Sequence, residues 1–288
     1  MNKRIVILLA ATSLLFGNPH LYSAETNAAA VPAANSADHE AVGNALNLLV
    51  ARIKAKLETG KQDVSDYVDI IKDYDSLLAK HPKVDDDRLN ILAAKGKLYL
   101  TLDEPVKALE VFQQFKTDFP STQLNGNTDE FLAALKEEAA GKQIRDALKP
   151  GTPFPDFDEK DLQGNAISIA KYKGKVVLLD FWATWCAPCV AELPEIQKAY
   201  GKYHDQGFEV VGISLDEDKG ALEKFIKQKK MPWSQYFEGK RFDGKLPMKY
   251  GINAIPTTYL IDRDGKIIKR VTDPDTLAEE IANAFKKS

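Results

Sequence analysis

"GKVVLLDFWATWCAPCVAELP" runs from Gly174 to Pro194 and holds both cysteines of a 288-residue chain. Its first half, Lys175 to Trp182, is an apolar run of strand length, suited to a strand buried on both faces. Its second half opens an amphipathic helical pattern at about Ala187. A buried strand therefore feeds a helix through a short turn, and Cys186 falls at the helix N-terminus. There the unpaired amide groups and the helix dipole stabilise a thiolate. Pro188 suits the first turn, where its missing N–H would have no helical partner. Cys189, three residues on, shares the helix face of Cys186, within disulfide reach but one turn deeper. The pattern predicts an exposed, nucleophilic Cys186 and a shielded, resolving Cys189.

Other meanings of a C-x-x-C pair fail on the rest of the chain. A zinc site needs further ligands, and the four histidines (His20, His39, His81, His204) are scattered. A haem attachment site needs histidine directly after the second cysteine, where Val190 stands. A structural disulfide stabilises by closing a loop, and this pair closes almost none. A redox dithiol remains, with no metal and no soluble cofactor required. The mixed charges, with a formal net of −3 and no basic block, point away from nucleic acid.

The flanking sequence divides the chain. Lys3 and Arg4 precede an apolar run from Ile5 to Phe16, the pattern of an export signal ending near Ala24. Such a run is short for a membrane span, though an uncleaved signal would tether the protein. Residues 25–40 read as a flexible tether. Residues 41–149 carry helical periodicity in five segments, with stops at Pro82 and Pro120. Those stops are 38 residues apart, and Tyr74 and Phe112 keep the same offset. "AAKGKLYLTLDEPVKALEVFQQFKTDFP" (Ala93 to Pro120) resembles a tetratricopeptide-type hairpin; an ordinary bundle is the equal alternative. "KPGTPFPDFD" (Lys149 to Asp158) ends helical register and marks a boundary. Beyond it, strands at Phe208–Leu215, Thr257–Asp262 and Lys266–Val271 alternate with helical patterns, the last two strands joined by "RDG". This is an α/β layout following an all-α segment.

From Gly151 onward the chain resembles the exported TlpA/ResA-type thiol-disulfide oxidoreductases of the thioredoxin family. The resemblance rests on Gly174–Pro194, with its Trp-Cys-x-Pro-Cys motif and Pro194, and on "KYGINAIPTTYLIDRDGKI" (Lys249 to Ile267). It implies a thioredoxin-like fold for residues 150–288 and a redox-active disulfide between Cys186 and Cys189. It also implies a cis peptide at Pro256 facing that disulfide, with Trp185, Pro188, Ile255, Pro256 and Thr257 around a bound substrate strand. The implied substrate is a disulfide-containing protein, apocytochrome c or another exported protein. Electrons would come from a membrane or periplasmic dithiol donor.

Two acids compete as proton acceptor for the inner thiol. Asp180 sits in the apolar strand, at the position of the buried aspartate of thioredoxins, and burial should raise its pKa. Glu192, three residues after Cys189, matches a glutamate of the ResA type; a solvated helix residue is the alternative. The chain departs from thioredoxins in one respect. Where a lysine of the neighbouring strand pairs with the aspartate, "EVVGIS" (Glu209 to Ser214) offers Gly212. A second departure is the long stretch between Asp216 and Pro256, with an aromatic cluster from Trp233 to Phe242. It reads as an additional packed helix and strand or as a substrate edge. Two rival functions stay open: a peroxiredoxin-like thiol peroxidase, disfavoured because no proline precedes Thr184 in that strand, and a partner-binding scaffold with an incidental dithiol.

Overall fold

A computed structural model describes residues 34–124, 127–271 and 276–286. The expected export signal over residues 1–24 lies outside them. The chain forms two compact units that divide between Ala140 and Gly141.

The first unit is helical: α1 (Ala34–Glu58), α2 (Val68–Lys80), α3 (Asp86–Thr101), α4 (Pro105–Asp118) and most of α5 (Thr128–Ala147). Proline punctuation works as the sequence predicts, because α2 and α4 end two residues before Pro82 and Pro120. Asp85 caps α3 by accepting the Arg88 N–H, and Pro105 occupies the first turn of α4. Of the expected tether over residues 25–40, residues 34–40 are helical instead, because α1 begins at Ala34, while residues 25–33 lie outside the described residues. No proline follows Pro32 there, and alanine and glutamate propagate a helix already nucleated by Val42, Leu46, Leu49 and Ile53.

Those α1 residues pack on Tyr67, Ile70 and Tyr74, while Leu89, Leu92 and Ala93 of α3 pack on Ala108, Phe112 and Phe115 of α4. Gly96 is what lets α3 and α4 close together. A Cβ placed on it would lie 2.5 Å from Cζ of Phe112, whose ring is itself held edge-on by Phe131 at 5.0 Å. Gly96→Ala should therefore destabilise this unit by about 1–3 kcal/mol through overpacking, against alanine's roughly 1 kcal/mol helical advantage over glycine. Denaturant unfolding followed by circular dichroism checks the sign. A midpoint that stays or rises would show that the ring moves aside freely.

The second unit is built on a five-stranded sheet in the order β5-β4-β3-β6-β7. Its strands are β3 (Val176–Trp182), β4 (Phe208–Ser214), β5 (Ser234–Phe237), β6 (Thr257–Ile261) and β7 (Ile267–Val271); a small antiparallel pair, β1 (Glu159–Lys160) and β2 (Ala166–Ile167), precedes them. Strands β4 and β5 run parallel to β3, and β6 pairs with it antiparallel. All seven residues of β3 are buried, as expected of a central strand covered on both faces. The helices are α6 (Ala187–Tyr203), α7 (Lys219–Lys229), α8 (Lys245–Lys249) and α9 (Leu277–Lys286). The order and pairing are those of a thioredoxin-like α/β fold.

The long stretch after Asp216 supplies α7, β5 and α8. Trp233 and Tyr236 of its aromatic cluster are buried in the core of this unit, so the packed-element alternative holds for them. The signal for β5 is short because a four-residue strand shows barely one alternation.

Candidate active site

Cys186 is the N-cap of α6, with φ −87° and ψ 97°, and its Sγ accepts the backbone N–H of Cys189 at 3.2 Å. The two cysteines form a disulfide across a Cα separation of 5.3 Å. Exposure does not separate them as the sequence predicts: Cys186 is 5% exposed and Cys189 3%. What surrounds Cys186 is accessible instead, with Trp185 46% exposed and Ala187 and Pro188 also exposed. The asymmetry between the sulfurs is one of hydrogen bonding. Only Cys186 occupies the cap, where an amide N–H is already aimed at its sulfur.

The turn before Cys186 is held by a residue that motif reading misses. The buried carboxylate of Asp216, just beyond β4, accepts the Thr184 N–H at 3.1 Å and the Thr184 hydroxyl at 2.5 Å. It also accepts the Ser214 hydroxyl at 2.9 Å. Three donors converging on one buried carboxylate fix the cysteine turn against the neighbouring strand end. An aspartate two residues after the serine that ends a strand is the only sequence trace of this tie.

On the sheet beneath the helix, Asp180 stands opposite Gly212 of β4 and Thr258 of β6. The expectation from the neighbouring strand thus holds: glycine occupies the place of the lysine. Asp180 is buried, and its one direct side-chain partner among the described residues is the Thr258 hydroxyl, at 3.2 Å. Burial, reinforced by the charge of Glu192 and opposed by the Thr258 hydrogen bond, raises the Asp180 pKa to about 7. Glu192 is buried on α6 rather than solvated, and burial raises its pKa to about 7 as well. Two carboxyls that share a buried space and titrate near neutrality can take and return a proton.

The Ile255–Pro256 peptide is cis. Thr257 pairs with Phe181, so Pro256 lies beside the point where β3 gives way to the cysteine turn. Thr257 is buried and its hydroxyl donates to the Ala254 carbonyl at 2.8 Å. Ile255 is partly buried against the core. From the long insertion, Arg241 places its guanidinium 4.8 Å from the centre of the Trp185 ring, within cation–π range, and pairs with Glu217 at 3.6 Å.

Comparison with known proteins places this site among thiol-disulfide exchangers. The AhpC/TSA family model matches residues 150–270. A thiol-disulfide oxidoreductase ResA of Bacillus thuringiensis subsp. konkukian is 34% identical over 140 residues, 49% of this chain and 79% of its own length. The ResA protein of Bacillus subtilis is 33% identical over 146 residues, 51% of this chain and 77% of its own. Among solved structures, the thioredoxin domain of a thiol-disulfide oxidoreductase from Bacteroides vulgatus is 32% identical, spanning 47% of this chain and 97% of that one, with a TM-score of 0.44.

Proposed function

The chain belongs to the ResA-type thiol-disulfide oxidoreductases, and from that premise we propose that it acts outside the cytoplasm as a reductase of protein disulfides. The observation that carries the reading is the capped sulfur: Cys186 at the start of α6, receiving the Cys189 N–H. In the reduced protein that amide and the helix dipole favour a Cys186 thiolate. The thiolate attacks one sulfur of a substrate disulfide; that S–S bond breaks, one substrate cysteine leaves, and a mixed disulfide forms. Cys189 then passes its proton to the Asp180–Glu192 pair and attacks the Cys186 sulfur. The Cys186–Cys189 bond closes, the second substrate cysteine leaves and takes up a proton, and two electrons have moved to the substrate. A separate dithiol donor, at the membrane or in the periplasm, reduces the protein again. The disulfide itself is the redox group, and no further cofactor enters.

Trp185 and Pro188, exposed beside Cys186, and the Ile255–Pro256–Thr257 segment would line the bound substrate strand. Apocytochrome c or another exported protein is the substrate class. Export is supported by the leader pattern of residues 1–24; among the described residues, no helix is long and apolar enough to cross a membrane. A peroxidase reading has less support. The Thr184 hydroxyl is committed to Asp216, and the cysteine partners lie one helical turn apart.

The direction of electron flow follows from what stabilises the reduced form. Ala187 and Pro188 supply neither charge nor a side-chain hydrogen bond to the Cys186 thiolate. A helix N-terminus contributes roughly 0.3–2 kcal/mol, whereas about 7 kcal/mol separates a thioredoxin-like potential near −270 mV from a strong oxidant near −120 mV. The buried carboxyls work against a thiolate when ionised. Equilibration with glutathione buffers should thus give a potential well below the strong oxidants. A value above about −150 mV would reverse the assignment to an oxidase.

A further inference from the structure

The place left by Gly212 is filled from one strand further out. Asp180, Gly212 and Gln235 lie in register across β3, β4 and β5, so the side chains of Asp180 and Gln235 project from the same face of the sheet. A Cβ on Gly212 would lie 2.1 Å from Gln235 Oε1 and 2.8 Å from Nε2. The carboxamide therefore lies directly over the glycine, on the path from β5 toward β3. The buried indole N–H of Trp182 donates to Gln235 Oε1 at 2.9 Å, which sets which end of the amide is oxygen. Gln235 is 2% exposed, and its Nε2 has no hydrogen-bond partner among the described residues. An amide donor buried without a partner is costly. The Asp180 carboxyl projects from the same face of the sheet.

We infer that Gln235 is a positioning residue for proton transfer: locked by Trp182 over Gly212, its amide serves Asp180 as an uncharged donor through one bridging water, where thioredoxins use a lysine ammonium. This rests on the oxidoreductase reading for its purpose, but not for its geometry. A neutral donor steadies the Asp180 carboxylate less than an ammonium would, and so leaves the proton exchangeable near neutral pH. The charged group whose field reaches Asp180 is Glu192 on α6. The strands on either side present Gly212 and Thr258, which do not titrate, and Cys189 is held in the disulfide.

The test is the titration of the Asp180 carboxyl, read by carbon-13 NMR in the oxidised full-length protein, with Glu192 followed separately because the pair is coupled. Neither substrate nor activity enters, so its failure is distinct from failure of the reductase assignment, which the glutathione equilibration tests. Gln235→Met keeps the bulk and removes the donor; the Asp180 inflection should rise by about one pH unit. In Gly212→Lys combined with Gln235→Ala, the space opened by the trimmed side chain takes an ammonium, and the inflection should fall below that of the natural protein. Loss of packing alone would lower stability without moving the two inflections in opposite directions. An unmoved or lowered inflection in folded Gln235→Met overturns the inference, whether or not the double variant folds.

Discussion

Cys186→Ser should abolish reduction of insulin disulfides, with a loss of about four orders of magnitude or more, down to the uncatalysed rate. Serine keeps the cap, because its oxygen accepts the Cys189 N–H as well as sulfur does, so the fold should survive. What disappears is the thiolate, and with it the only group positioned to open a substrate disulfide. Cys189→Ser should behave differently. Its first step remains, the resolving step does not, and the protein should accumulate as a mixed disulfide with its substrate. Non-reducing electrophoresis and mass spectrometry of the trapped species would separate the two variants and identify what is attached. If Cys186→Ser kept full activity in cells, the dithiol would be incidental and the helical unit would carry the function. If Cys186→Ser formed the trapped species and Cys189→Ser did not, the roles of the sulfurs would be exchanged.

Asp180→Asn has the second largest effect, and it moves stability and rate in opposite directions. The rise of the Asp180 pKa from 3.8 to about 7 means that between these values the folded protein holds a proton the unfolded chain has lost. Stability therefore declines as pH rises through that window, and the full cost is present above the folded pKa. The rise corresponds to roughly 4 kcal/mol at most, an upper bound because Glu192 shares the interaction. Asparagine keeps an acceptor for the Thr258 hydroxyl and never ionises. Asp180→Asn should accordingly be more stable than the natural protein at pH 8 by a few kcal/mol, and nearly equal to it at pH 4. Resolution of the mixed disulfide should slow by about 10²–10⁴-fold, the usual worth of a positioned base. Equal stabilisation at both pH values would mean that Asp180 is not ionised at the higher one. A rate unchanged by Asp180→Asn but lost in Glu192→Gln would assign the proton to Glu192.

Much of this site is readable in the chain because its chemistry is local. A helix begins where a strand run ends, and the cap position, the proline after it and the second cysteine one turn on all follow from spacing within Trp182–Cys189. The proline stops of α2 and α4 are legible for the same reason: a missing N–H and a steric clash act on adjacent residues. Asp180 was readable as buried because six apolar neighbours share its strand run. Glu192 was not, since its helix alternates exposed and buried residues, and only the packing of α6 on the sheet decides which side of that boundary a glutamate falls.

Residues separated by long connections required the fold. Gln235 sits in a four-residue strand with almost no periodic signal, and nothing near it in sequence tells that its amide would cover Gly212 and meet the indole of Trp182. Asp216 likewise reads as an ordinary strand-end aspartate until the cysteine turn is laid against it. The start of α1 at Ala34 depends on cooperativity, which composition over residues 25–40 does not record. The sequence by itself determined the dithiol, its helix terminus, the buried carboxyl and the α/β order. Strand register across β3, β4 and β5 decided what surrounds them, because register is set by pairing between distant segments, and periodicity within one segment carries no information about its partner.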